Sequence, residues 1–151
     1  MLATRIQVEL DEEVLRRVIE ELELSNPPDF TLNHSGKFPK SFFGEEHKNV
    51  RGSYEPATNH VTITSQGESF EREGLYVLTK HIRFTVLHEL RHAWQREHWT
   101  AEEKREAARG SYRERKEEID ANKWAAYASP LYAKLVTIKR TTVGNRRRPP
   151  G

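Results

Sequence analysis

Polar and apolar residues alternate over 4–10 (TRIQVEL), which puts Ile6, Val8 and Leu10 on one side and predicts a short half-buried strand. Asp11 is then placed to cap a helix reaching about Leu24, with Val14, Leu15, Val18, Ile19 and Leu22 at helical spacing before Ser25-Asn26-Pro27-Pro28 stops it. Residues 29–59 are rich in Gly, Pro, Asn and Ser and predict loops and short strands. Residues 60–64 (HVTIT) alternate and are β-branched, and residues 56–59 are suited to turn a hairpin between them and 50–54. Over 74–99 the period becomes helical, with Leu75, Leu78, Ile82, Val86, Leu90 and Ala93 at steps of three and four. Thr100 with Glu103, and Ser111 with Glu114, have capping-box spacing, and Gly110 suits a C-cap between them. The pattern therefore predicts a short charged helix over 101–109 and a second over 112–128, ended by Ser129-Pro130. Residues 131–143 read as a final helix turn or strand, and 144–151 as a basic Pro/Arg-rich tail expected to be disordered.

Together these elements predict an α+β chain with a small antiparallel or mixed sheet packed on the long helix. A single domain is expected over 1–143, as suits 151 residues. Hydrophobic residues make up 35% and charged residues 32%, which fits a globular chain with highly charged helix surfaces. A formal net charge of only +2 gives no bulk argument for nucleic-acid binding, and Arg146, Arg147 and Arg148 are too few to supply much phosphate affinity. The Glu/Lys/Arg run over 102–118 reads as a solvated face with i,i+4 pairs. Trp94, Trp99 and Trp124 read as core. No stretch approaches the roughly 20 apolar residues of a membrane span, and the opening MLATRIQVELDEE turns acidic too early for a signal peptide. Cysteine is absent, which excludes a disulfide scaffold and fits a reducing cytoplasm.

Candidate chemistry centres on His88-Glu89-Leu90-Arg91-His92, an H-E-x-x-H sequence inside the long predicted helix. Residues i and i+4 share a helix face, so both imidazoles can reach one metal ion. Glu89 projects to the side of that face, poorly placed as a ligand but well placed to take a proton from a water at the metal and later protonate a leaving amine. Zinc at a catalytic site needs a third protein ligand, and without cysteine this falls to a carboxylate on the following helix. Glu118 is the leading candidate because it is in register with Ala121, Ala125 and Ala128, whose small side chains allow close helix approach. Glu114, Glu117 and Asp120 compete, and one of them is a candidate to accept a hydrogen bond from a ligating imidazole. Tyr112, Tyr127, His98 and Arg91 are candidate oxyanion donors. His34, His47, His60, His81 and His98 lack ligand spacing and read as surface or packed histidines. The strand at 60–64 is expected to offer a free edge to an extended peptide.

Residues 84–92 (FTVLHELRH) followed by 118–125 (EIDANKWA) resemble the ImmA/IrrE metallopeptidases, which carry an HExxH helix and then an E-x-x-A-N-x-F-A helix. The resemblance spans roughly 50–130, including Gly52-Ser53-Tyr54 and 60–64 as a strand pair before the active-site helix. It implies one Zn2+ per chain held by His88, His92 and Glu118, with Glu89 as base. It also implies a zincin-like minidomain, with repressor proteins of phage, mobile elements or stress responses among the substrates. Arg91 replaces a small residue of the family pattern, Trp124 replaces Phe, and the apolar segment after Ala125 is shorter. HELRHA also resembles SprT-like proteases, which act near DNA but use a third histidine downstream, and this chain has none past His98. The expected function is thus a cytoplasmic zinc metallopeptidase acting on a protein or peptide. The rival from another class is a non-catalytic zinc-binding regulatory protein.

Overall fold

In a computed structural model, residues 2–35, 50–66, 72–109 and 115–144 are described. Strand β1 (Leu2–Leu10) pairs antiparallel with β5 (Val136–Gly144) along its whole length, from Leu2 opposite Gly144 to Leu10 opposite Val136. The two ends of the described chain thus close into a two-stranded sheet. Residues 136–144 are therefore strand, and the strand runs one residue past the expected domain edge at 143. The remaining tail, 145–151, lies outside the described residues.

Asp11 caps α1 (Glu12–Glu21) as its position predicts, its carboxylate accepting the Val14 N–H at 3.0 Å. The helix closes in a Schellman turn: Leu24 N–H donates to Ile19 O and Glu23 N–H to Glu20 O. Glu23 takes the left-handed conformation, φ 49°, where glycine is the usual residue. Long-range bonds hold this turn against the end of the long helix. Glu97 accepts from the Ser25 and Asn26 N–H groups at 2.8 and 3.2 Å, and His98 Nε2 donates to Glu23 O at 3.0 Å.

The second sheet is mixed. β4 (His60–Gln66) lies between β2 (Asp29–Ser35), to which it is parallel, and β3 (Val50–Glu55), to which it is antiparallel. The hairpin expected between 50–54 and 60–64 is present. The free edge expected at 60–64 is not, because β4 is the central strand and both of its edges are paired. Its alternation places Val61, Ile63 and Ser65 in the interior, and a half-buried pattern alone does not distinguish a central strand from an edge one. His60 and His34 belong to this sheet, hydrogen-bonded to Thr31 (2.6 Å) and Ser65 (2.8 Å).

Helix α2 (Arg72–His98) has 27 residues and is about 40 Å long at 1.5 Å per residue. Its buried stripe is Leu78, Ile82, Val86, Leu90 and Ala93, joined by Leu87. It packs on β3, β4 and β5 and against α4 (Lys116–Ala128). α4 presents Glu118, Ala121, Ala125 and Ala128 as its buried face, so the expected small-residue approach is what forms. Its N-terminus is Lys116 rather than 112. Gly110, Ser111, Tyr112 and Glu114, expected as caps, oxyanion donor and competing ligand, lie outside the described residues, as does His47. Between the two helices, α3 (Ala101–Ala107) starts with the predicted capping box, Thr100 and Glu103 bonding reciprocally at 3.1 and 3.2 Å. The charged run pairs across elements, Lys116 with Glu106 at 2.8 Å. The buried Arg83 ties α2 to the segment leading into β5, donating to Ser129 Oγ (3.0 Å) and Ala133 O (3.1 Å).

The fold is α+β, with four helices and two small sheets, one of them mixed, among the described residues. No helix among them is long and apolar enough to cross a membrane.

Candidate metal centre

α2 presents His88 and His92 one turn apart, and α4 brings Glu118 to them. Glu118 Oε2 lies 3.0 Å from His88 Nε2, Glu118 Oε1 lies 3.0 Å from His92 Nε2, and the two Nε2 atoms are 3.1 Å apart. The imidazoles meet edge to face, with centroids 4.7 Å apart. A ligand atom from each of the three residues falls within 4.8 Å of the others, so the group is able to hold a metal ion. Among the described carboxylates on α4, Glu118 is the one that joins the histidines. Glu117 lies 3.8 Å from Arg115, and Asp120 pairs with Arg91.

The donor set fits a divalent ion on chemical grounds. Two imidazoles and one carboxylate, with no thiolate, is a set that catalytic zinc uses while leaving a coordination position open. The orientation of His92 is also set from behind. Its Nδ1–H donates to Gln95 Oε1 at 2.8 Å, and the Gln95 amide in turn donates to Glu117 O (2.8 Å) and Asp120 Oδ2 (2.9 Å). The two acceptors on the amide nitrogen fix which way Gln95 points. That choice puts the His92 proton on Nδ1 and turns Nε2 toward Glu118. Asp120 is held by Arg91 through two bonds, at 2.8 and 3.1 Å, and the guanidinium stacks 3.5 Å above the Trp94 ring. Asp120 thus supports His92 through Gln95 instead of accepting directly from an imidazole.

Electrostatics follow from this packing. Burial by itself lowers the His92 pKa, but its bonds to Glu118 and Gln95 and the charges of Glu89 and Glu118 together raise it to about 9. Burial opposes ionisation of Glu118, yet the two histidines hold it down at about 2. Glu89 behaves differently. It is buried, and that burial raises its pKa despite the pull of His92 and His88. Its Oε1 is 3.9 Å from His88 Nε2, while Oε2 has no hydrogen-bond partner among the described residues. His88 Nδ1 is likewise buried without one.

Close contact between β3 and α2 seats Glu89. A Cβ on Gly52 would lie 2.5 Å from Thr85 Cγ2, 3.0 Å from Glu89 Cγ and 3.2 Å from Ile63 Cδ1. Only glycine lets the strand pass this close to the helix.

The other candidate oxyanion donors lie elsewhere. Arg91 is taken up by Asp120. His98 bonds to Glu23 O and stacks on Trp94. Tyr127 stands exposed, about half a turn around α4 from Glu118. Of the tryptophans, Trp94 and Trp124 pack at the edge of the core, whereas Trp99 lines a cleft of about 510 Å³ beside His92 and Glu118. Tyr54, Arg96 and Lys104 border the same cleft. Gln95, Arg96 and Tyr54 were not singled out from sequence. Gln95 and Arg96 follow His92 by three and four residues, so the helical face that selected the histidines also carried them. Tyr54 lies two residues before the turn at 56–59 and had no comparable signal. No protein-family model, curated protein or solved structure matches the chain.

Proposed function

We propose that this chain is a zinc-dependent metallopeptidase with a zincin-like catalytic fold. The observation that carries the reading is the pairing of the His88/His92/Glu118 group with an adjacent buried carboxylate, Glu89, whose Oε2 has no partner among the described residues. A purely structural metal site has no use for such a group, and keeping a carboxylate oxygen buried without a hydrogen bond is costly.

Zinc, when held by these three residues, supplies Lewis-acid polarisation of the scissile carbonyl and acidifies water. Glu89 supplies the proton handling. With its pKa raised by burial, its carboxylate takes a proton from the attacking water as the C–O bond forms, then passes that proton to the amine nitrogen as the C–N bond breaks. His92 is kept in its ligating tautomer by Gln95. Gly52 keeps β3 against Glu89, and β3 is an edge strand of its sheet among the described residues. An extended peptide added to that edge would run past Glu89. The likeness of 84–92 and 118–125 to the ImmA/IrrE motifs makes repressor-type regulatory proteins the first substrates to assay.

Metal content and peptide hydrolysis are to be measured together on wild type, Glu89→Gln and Glu118→Ala. Wild type is expected to bind one zinc and cleave. Glu89→Gln is expected to keep zinc and lose cleavage, and Glu118→Ala to lose most zinc. Normal cleavage by Glu89→Gln refutes the mechanism. Zinc binding without cleavage of any peptide or repressor substrate favours a non-catalytic metal protein.

A further inference from the structure

The cleft next to the metal centre has a charge pattern that the proposed chemistry does not use. Arg96 lies one helical turn beyond His92 on the same face, so its guanidinium opens into the cleft about 6 Å along the axis from the ligand. Tyr54 borders the same cleft, its O–H donates to Asn59 Oδ1 at 2.7 Å, and Asn59 Nδ2 donates to Asn26 O at 2.9 Å. Asn59 itself sits at φ 52°, a left-handed position that asparagine tolerates. Opposite, Lys104 is drawn to the rim by its bond to Arg96 O at 2.9 Å, which leaves two of its three donors over.

Neither cation forms an ion pair with a carboxylate among the described residues. Glu97 turns the other way, to the Ser25 and Asn26 amides. Glu117 and Glu118 also border the cleft. Glu117 faces Arg115 at 3.8 Å, and Glu118 is committed to two imidazoles. The cleft therefore offers a guanidinium and an ammonium in the same lining as Trp99, with room for a side chain.

We infer that this cleft is a specificity subsite for a carboxylate, carried by the substrate residue next to the scissile bond, with Arg96 as principal contact and Lys104 as the second. The inference rests on the metallopeptidase reading for the word substrate, but not for the binding itself. A planar guanidinium matches a carboxylate in two-pronged fashion, which makes Arg96 the stronger of the two contacts. The carboxylate is that of an internal Asp or Glu, or that of a chain end.

The test uses zinc-loaded Glu89→Gln protein, so that no turnover intervenes, and fluorescence anisotropy of dye-labelled, C-terminally amidated nonapeptides with Glu or Gln at the centre. The Glu peptide is expected to bind about tenfold more tightly. Arg96→Glu is expected to abolish or invert this preference and Lys104→Ala to reduce it, with circular dichroism confirming that both variants fold. A Gln peptide with a free C-terminus completes the set, and tighter binding of it than of the internal Glu peptide assigns the subsite to chain ends. Equal binding of Glu and Gln peptides together with no gain from a free C-terminus overturns the inference, as does a preference that survives Arg96→Glu. Repeating the titration on chelator-treated protein separates the subsite from the metal. The preference is expected to persist, and its disappearance would mean that the carboxylate sits on the ion, which also overturns the inference. If the preference persists while the zinc-loaded wild type cleaves no peptide, the subsite stands and the peptidase reading falls.

Discussion

The close pass of β3 over α2 at Gly52 predicts a large effect from one methyl group. In Gly52→Ala the added Cβ would lie 2.5 Å from Thr85 Cγ2 and 3.0 Å from Glu89 Cγ. Carbon atoms pack at about 3.5–4.0 Å, so strand and helix must separate by about 1 Å or Thr85 must rotate. Rotation is opposed because Thr85 Oγ1 donates to His81 O at 2.8 Å. Overpacking of this kind costs about 1–3 kcal/mol, which in a chain of this size lowers the melting temperature by roughly 3–10 °C. The displacement also reaches Glu89, so the proposed hydrolysis is expected to fall by more than the loss of folded protein explains. Thermal unfolding of Gly52→Ala, Thr85→Ser and the double variant forms a cycle. Serine keeps the hydroxyl bond and removes Cγ2, so the double variant is expected to recover most of the loss, with a coupling above about 1 kcal/mol. If Gly52→Ala unfolds within about 0.5 kcal/mol of wild type, or Thr85→Ser rescues nothing, the contact does not constrain the site as described.

Two further outcomes concern the support of His92. Replacing Gln95 with Leu removes the acceptor for His92 Nδ1–H, and zinc affinity measured against a competing chelator is expected to drop about 10- to 100-fold; unchanged affinity would show that Gln95 does not orient the ligand. Metal-free His92 has its pKa raised from 6.5 to about 9. Its contribution to stability is therefore complete below pH 6.5 and lost as pH rises through about 9, and a proton and a metal ion compete for the same Nε2. The metal-free melting temperature is expected to fall across that window, and apparent zinc affinity to rise roughly 100-fold from pH 7 to above 9. A flat metal-free profile between those values would contradict the His92–Glu118 pairing.

Much of the site could be read before any fold was known, because the information was local. His88 and His92 share a face by helical period alone, and Glu89 is offset from it by one residue. The alanine register of α4 pointed to Glu118. The Asp11 cap, the Thr100/Glu103 box and the hairpin over 50–64 are also short-range, since the caps close over three residues and only a turn separates the hairpin strands. What the sequence could not rank were contacts whose partners lie far apart in the chain. The register already favoured Glu118 over Glu117 and Asp120, and the face that α4 turns to α2 puts it beside both histidines. The positions of Arg91 and His98 were decided by Asp120 and Glu23, 29 and 75 residues away. The central place of β4 depended on β2 pairing in parallel with it, which alternation does not encode.

The chain by itself determined most of the stretches that become helix or strand, which residues are chemically able to bind metal, and where a carboxylate can stand beside them, since period and side-chain type act over one or two turns. Tertiary structure alone decided that Gln95 orients His92, that Gly52 presses β3 onto Glu89, and that Arg96, Tyr54 and Trp99 share a cleft with the metal-binding group. Those relations depend on distances between elements, and packing sets such distances only when the whole core has formed.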